Sequence, residues 1–152
     1  MPFRILIADD DLHTRRILET LLAREPSLQG PEIVGAADGE EALAALDRFT
    51  PDLVITDLLM PRMDGFAFSR ALRQHPVGLE VPLLITSAIY KDRVQLAELE
   101  REVNGEFYAK PYQLRDLVRA VLRLLSGGGP RPVRDRVTIP PVSGSAFAID
   151  ER

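Results

Sequence analysis

The stretch Pro51-Asp-Leu-Val-Ile-Thr-Asp57-Leu-Leu-Met-Pro61-Arg-Met-Asp-Gly65-Phe66 (PDLVITDLLMPRMDGF) decides the fold. Its apolar run Leu53–Thr56 has strand length and no polar alternation, the pattern of a parallel strand covered on both faces. The run stops at an acid, Asp57, and a Pro and Gly loop separates it from a helix expected around Phe66–Gln74. Strand, loop and helix in that order form one unit of a βα repeat.

The same unit recurs on either side. Phe3–Ala8 (FRILIA) reads as a first strand, and Ile17, Leu18, Leu21 and Leu22 then follow at helical spacing. Glu32–Ala37 reads as a weaker second strand, after which Asp38 and Glu41 open a helix carrying Leu43 and Leu46. Val81–Thr86 (VPLLIT) is the fourth strand, followed by a helix with Val94, Leu96, Leu99 and Val103. Glu106–Ala109 is a short fifth strand before an amphipathic helix with Leu114, Leu117, Val118, Val121, Leu122 and Leu125 on one face. Five such units with right-handed crossovers predict an α/β fold: a doubly wound, five-stranded parallel sheet, flavodoxin-like, in strand order 2-1-3-4-5. Ligands of such sheets bind at the carboxyl ends of the strands, beside the point where the order reverses.

Four strand ends deliver chemistry to that edge: Asp9 and Asp10 after strand one, Asp57 after strand three, Ser87 after strand four and Lys110 after strand five. Singly, each has an ordinary reading as a helix cap, a turn residue or a solvated side chain. Together they are a constellation. Three carboxylates crowded at one edge repel, and a hard divalent cation relieves them; few oxygen ligands with room for water favour Mg²⁺. An Asp so neutralised can attack phosphorus to give an aspartyl phosphate. Lys110 and the Ser87 hydroxyl would then engage the phosphoryl oxygens.

Composition bounds the alternatives. The chain has 152 residues, 45% hydrophobic and 28% charged, with no cysteine and a net charge of −4. The missing cysteines exclude a disulfide scaffold and thiol chemistry. The longest uncharged stretch, Val137–Ile149, is 13 residues and contains two prolines, too short and too broken to span a bilayer. A cytoplasmic location without membrane attachment is expected. Residues 1–126 hold 15 Lys/Arg against 20 Asp/Glu, an acidic balance that argues against nucleic acid as a partner. From Gly127 the composition changes: four Gly and four Pro fall in 26 residues. The expected organisation is a domain over 1–126 and a Gly/Pro-rich, unstructured tail over 127–152. The apolar segment 137–149 is a candidate for docking on the domain or on a partner. His13 and His75 are isolated, lack metal-ligand spacing and are expected at the surface.

The blocks ILIADDD (5–11), DLVITDLLMPRMDGF (52–66), PLLITSA (82–88) and KPY (110–112) together resemble the receiver domain of two-component response regulators. The resemblance covers residues 3–125 and is of the single-domain, CheY-like type. It implies that Asp57 accepts a phosphoryl group from the phosphohistidine of a sensor histidine kinase or histidine phosphotransfer protein. It further implies that Asp9, Asp10, Asp57 and the backbone carbonyl of Leu59 hold Mg²⁺. Ser87 would be the switch hydroxyl, Lys110 the catalytic lysine and Phe107 the switch aromatic, with Tyr108 an alternative. The Lys110–Pro111 bond would be cis, and Gly65 the turn glycine after strand three. The chain would then catalyse only its own phosphorylation and dephosphorylation. Its output would run through a downstream protein effector, with a dimer through the fourth helix, fifth strand and fifth helix compatible with the family. No DNA-binding unit fits in the 26 residues of the tail.

Other functions on this fold fare worse. A Mg²⁺-dependent phosphohydrolase would want a second acid two residues past the nucleophile, where Leu59 stands. A nucleotide or flavin binder would want a glycine-rich loop after strand one, and neither G-x-G-x-x-G there nor a P-loop occurs. A receiver that has lost phosphorylation would not keep the full acidic set with Ser87 and Lys110. Leu59 and Ile89 are apolar where the family's hydrolytic water passes, so the phospho-form is expected to last minutes to hours.

Overall fold

The structure is a computed structural model that describes residues 2–88 and 93–131. The expectations for Ile89 and for the segment 137–149 lie outside the described residues. Among the described residues ten main elements alternate: β1 Arg4–Ala8, α1 Leu12–Ala23, β2 Glu32–Ala36, α2 Gly39–Ala45, β3 Leu53–Asp57, α3 Gly65–Leu72, β4 Leu83–Ser87, α4 Arg93–Val103, β5 Glu106–Ala109 and α5 Leu114–Leu125. The strands form one sheet in the order β2-β1-β3-β4-β5, with every pair parallel. This is the doubly wound order expected from the sequence.

Side chains alternate across the strands, so each strand feeds two cores. Ile5 and Ile7 of β1, Leu53 and Ile55 of β3 and Leu84 of β4 pack with Leu18 and Leu22 of α1 and with α5. Leu6 and Ala8, Val54, Leu83 and Ile85 face the other way, onto α2, α3 and α4. The apolar runs without alternation follow directly, because both faces of the central strands are dry.

Two helices present different faces from those expected. In α5 the buried residues are Leu117, Ala120, Val121 and Leu124, while Leu114 is 41% exposed. In α1, Leu18 and Leu22 are buried but Ile17 is 40% exposed. Both stripes are broad, so spacing alone leaves the rotation of the helix undetermined. His75 also departs from expectation: it is half-buried, accepts from the Val77 amide and lies 3.2 Å from Asp47. Strand and helix ends otherwise shift by one or two residues, as with β4, which begins at Leu83 because Val81 and Pro82 precede the pairing.

Candidate functional site

The register of the sheet brings the chemistry-bearing residues to one edge. Ala8 pairs with Thr56, Asp57 with Thr86, and Ser87 with Ala109, so β1, β3, β4 and β5 end nearly level. Asp9, Asp10 and Lys110 are the next residues along their strands. Carboxylate oxygens of Asp9, Asp10 and Asp57 lie within 4.8 Å of one another. Lys110 Nζ stands 3.2 Å from Asp9 Oδ2 and 3.5 Å from Asp57 Oδ2.

Each acid is held by local backbone. Asp57 is buried, and its Oδ1 accepts from the Leu58 amide at 2.9 Å. Asp9 is buried too; its Oδ1 accepts from the Asp11 amide at 2.9 Å, and its carbonyl accepts from Arg15 at 2.6 Å. Asp10 is exposed. Asp11, the third acid of the run, is not in the cluster. It caps α1, accepting from the His13 amide and the Thr14 hydroxyl. One run of three acids therefore serves both the site and a helix start.

The loop after β3 is fixed at several points. Gly65 donates its amide to the Leu58 carbonyl at 2.9 Å, and a Cβ there would sit 2.1 Å from the Asp57 carbonyl oxygen. Only glycine lets α3 start against the backbone of Asp57. On the other side Arg62 pairs with the buried carboxylate of Asp38, the N-cap of α2. The Gly39 amide donates to the Met63 carbonyl at 2.9 Å.

The electrostatics are unbalanced toward negative charge. Burial pushes the Asp57 carboxyl up to about 6; Lys110 opposes this and Asp9 adds to it. Burial works against the charge of Lys110, but Asp57 and Asp9 outweigh it and hold the ammonium above its ordinary value. Three clustered carboxylates with one ammonium have room for a further positive charge. Their donor set is all hard oxygen, which fits Mg²⁺ and not a soft or redox metal.

Ser87 is fully buried at the end of β4, between the strands bearing Asp57 and Lys110. The ring of Phe107 is buried in the core shared with Leu96, Leu99 and Val103 of α4, and its amide donates to Glu100 at 2.8 Å. The Lys110–Pro111 bond is cis. Leu59 is 48% exposed beside the acids.

The sequence reading missed the surface next to this edge. A groove of about 430 Å³ runs from Lys110 between α1 and the start of α5, lined chiefly by Thr14, Ile17, Leu18, Pro111, Tyr112 and Leu114. Ile17 and Leu114, each on its helix's apolar stripe by spacing, are exposed and line this groove. The only signal for an apolar groove was an excess of apolar positions over what one buried face needs.

A parallel sheet that gathers clustered acids and one lysine at its carboxyl edge presents them where doubly wound folds bind ligands. The model of the response regulator receiver domain matches residues 5–122, and the chain belongs to that family, which works in two-component signalling. Over 125 residues it is 38% identical to "Probable transcriptional regulator ycf27" of Porphyridium aerugineum, spanning 79% of this chain and 48% of that protein. The chain spans about half the length of the curated relatives it matches. A putative response regulator from Chloroflexus aurantiacus superposes with a TM-score of 0.70 at 33% identity, covering 83% of this chain and 99% of the other. A chain of the CheX–CheY–BeF3–Mg²⁺ complex from Borrelia burgdorferi superposes with a TM-score of 0.66 at 27% identity, covering 82% and 90%. Among the described residues no helix is long and apolar enough to cross a membrane.

Proposed function

We propose that this chain is a cytoplasmic phosphorylation switch whose phosphoacceptor is Asp57. The observation that carries the reading is the position of Lys110, within 3.5 Å of Asp57 and nearer still to Asp9, at the edge where three carboxylates meet. An Asp57 oxygen attacks the phosphorus of a phosphohistidine; the P–N bond breaks and the imidazole leaves with a proton. Lys110 stabilises the charge on the phosphoryl oxygens, and Ser87 offers its hydroxyl to the product. Asp9, Asp10, Asp57 and the Leu59 carbonyl would hold Mg²⁺, which when bound neutralises phosphoryl charge. Ser87 and Phe107 would carry the switch to the surface of α4, β5 and α5, where a protein effector or a second copy of the chain reads it.

The groove supports a protein phosphodonor, because its apolar walls adjoin Lys110, whose ammonium stands 3.5 Å from Asp57. A sensor histidine kinase or a histidine phosphotransfer protein fits that role. The domain of this reading comprises residues 1–126, with 127–152 as a tail. Incubation with a small phosphodonor and Mg²⁺, followed by intact mass measurement, tests the assignment. Wild type should gain one phosphoryl group, and Asp57→Ala should gain none. A phosphoryl group retained by Asp57→Ala would refute it.

A further inference from the structure

The end of β5 remote from the acids carries a second buried charge cluster that the phosphoryl chemistry does not use. Glu106 is fully buried at the first position of the strand. Its two oxygens accept from Arg123 of α5 at 2.8 and 2.7 Å, from the Tyr108 hydroxyl at 2.7 Å and from the Arg131 amide at 2.8 Å. Arg123 also donates to the Gly129 carbonyl at 2.7 Å. Among the described residues, Gly129 and Arg131 are thus held to the body of the domain through this guanidinium and this carboxylate. Burial alone would raise the Glu106 carboxyl; Arg123, the Arg131 amide and Tyr108 together hold it below its ordinary value.

β5 links this clasp to the site. It has four residues, with Glu106 at one end and Lys110 directly after the other. Among the described residues it is an edge strand paired only with β4, and its Phe107 amide is held by Glu100 of α4. Such a strand is about 13 Å long and stiff along its axis, so a shift at one end is felt at the other.

We propose that the Glu106–Arg123 clasp makes the attachment of the chain after Gly127 depend on whether Asp57 carries a phosphoryl group. The inference rests on Asp57 being the phosphoacceptor. Lys110 now divides its ammonium between Asp9 and Asp57, and a phosphoryl group on Asp57 re-aims it toward new oxygens. The pull passes through Ala109 into β5. The contacts of Glu106 already lie at 2.7–2.8 Å, the short end of hydrogen-bonding distance, so displacement of the strand lengthens them. Phosphorylation therefore releases residues 129–131, and with them the start of the tail.

Amide hydrogen exchange read by NMR on the full chain tests this, with beryllofluoride and Mg²⁺ standing in for the phosphoryl group. The Leu58 amide, bonded to Asp57, reports occupancy of the site; the Arg131 amide, bonded to Glu106, reports the clasp. Both should respond, with Arg131 exchanging about tenfold faster in the occupied state. A Leu58 response with unchanged Arg131 exchange overturns the coupling alone. If neither amide responds, the phosphoacceptor reading falls as well. In Glu106→Gln, Arg131 should exchange fast in both states while Leu58 still responds. A beryllofluoride effect on Arg131 as large as in wild type would contradict the role of the carboxylate. The wild-type comparison decides the matter even if that variant fails to fold.

Discussion

Lys110 Nζ sits 3.5 Å from Asp57 Oδ2, the ammonium from the loop after β5 reaching the carboxylate that ends β3. It is the positive side chain set against the clustered acids, so on the proposed chemistry its loss removes the charge that would meet the incoming phosphoryl oxygens. Lys110→Met should slow phosphorylation of Asp57 by about a hundredfold. Single-turnover phosphorylation with a small donor and saturating Mg²⁺ measures it. A rate equal to wild type would remove Lys110 from the chemistry.

The raised pKa of Asp57 gives a signed pH effect. Between its ordinary value of 3.8 and about 6 the native state binds more proton than the unfolded chain. Stability from this group is therefore lost as pH rises through that window. In Mg²⁺-free buffer Asp57→Asn should be more stable than wild type by about 2 kcal/mol at pH near 7.5, and nearly equal to it at pH near 4. Adding Mg²⁺ should stabilise wild type and shrink the gap. Denaturant titrations at the two pH values measure both effects.

Gly65 stands where any side chain collides with the backbone of Asp57. Gly65→Ala should cost about 1–3 kcal/mol and displace Asp57, the proposed phosphoacceptor. Its phosphorylation rate should fall even where the variant is fully folded, as shown by circular dichroism alongside the kinetics.

Leu59 is exposed next to the acids and offers no polar group to orient a hydrolytic water. The phospho-form should decay over minutes to hours, and Leu59→Asn should shorten that lifetime by about tenfold. Decay of the labelled protein in Mg²⁺ provides the measurement; a wild-type half-life of seconds would sink the idea.

The groove between α1 and α5, if it docks a protein donor as proposed, should distinguish protein donors from small ones. A charge at its exposed wall, Ile17→Asp, should slow transfer from a phosphohistidine protein by about tenfold or more. Phosphorylation by a small donor should fall far less. Equal slowing of both would show that the variant damages the site itself and not docking.

Much of this was legible because parallel strands buried on both faces leave unbroken apolar runs, and each run ends at a residue that the sheet must place at one edge. Leu53–Thr56 and Val81–Thr86, which run into Asp57 and Ser87, are read directly in this way, to within two residues of the strands found. The rotation of α5 was not legible. Seven larger apolar positions outnumber what one face needs, and Ala120, too small to signal, is buried with Leu117, Val121 and Leu124. Glu106 was equally hidden. A lone acid at a strand start reads as a polar boundary, and its burial depends on Arg123 and on the Arg131 amide, partners that no local pattern announces. Asp11 shows the reverse case, an acid in the right run that the helix cap claims.

The most direct test is transfer of a labelled phosphoryl group from a phosphohistidine donor to wild type and to Asp57→Ala, each with Mg²⁺ and with chelator. Rapid labelling of wild type in Mg²⁺, lost on chelation and absent from the variant, is the expected result. Labelling of Asp57→Ala at the wild-type rate would contradict the assignment of the phosphoacceptor.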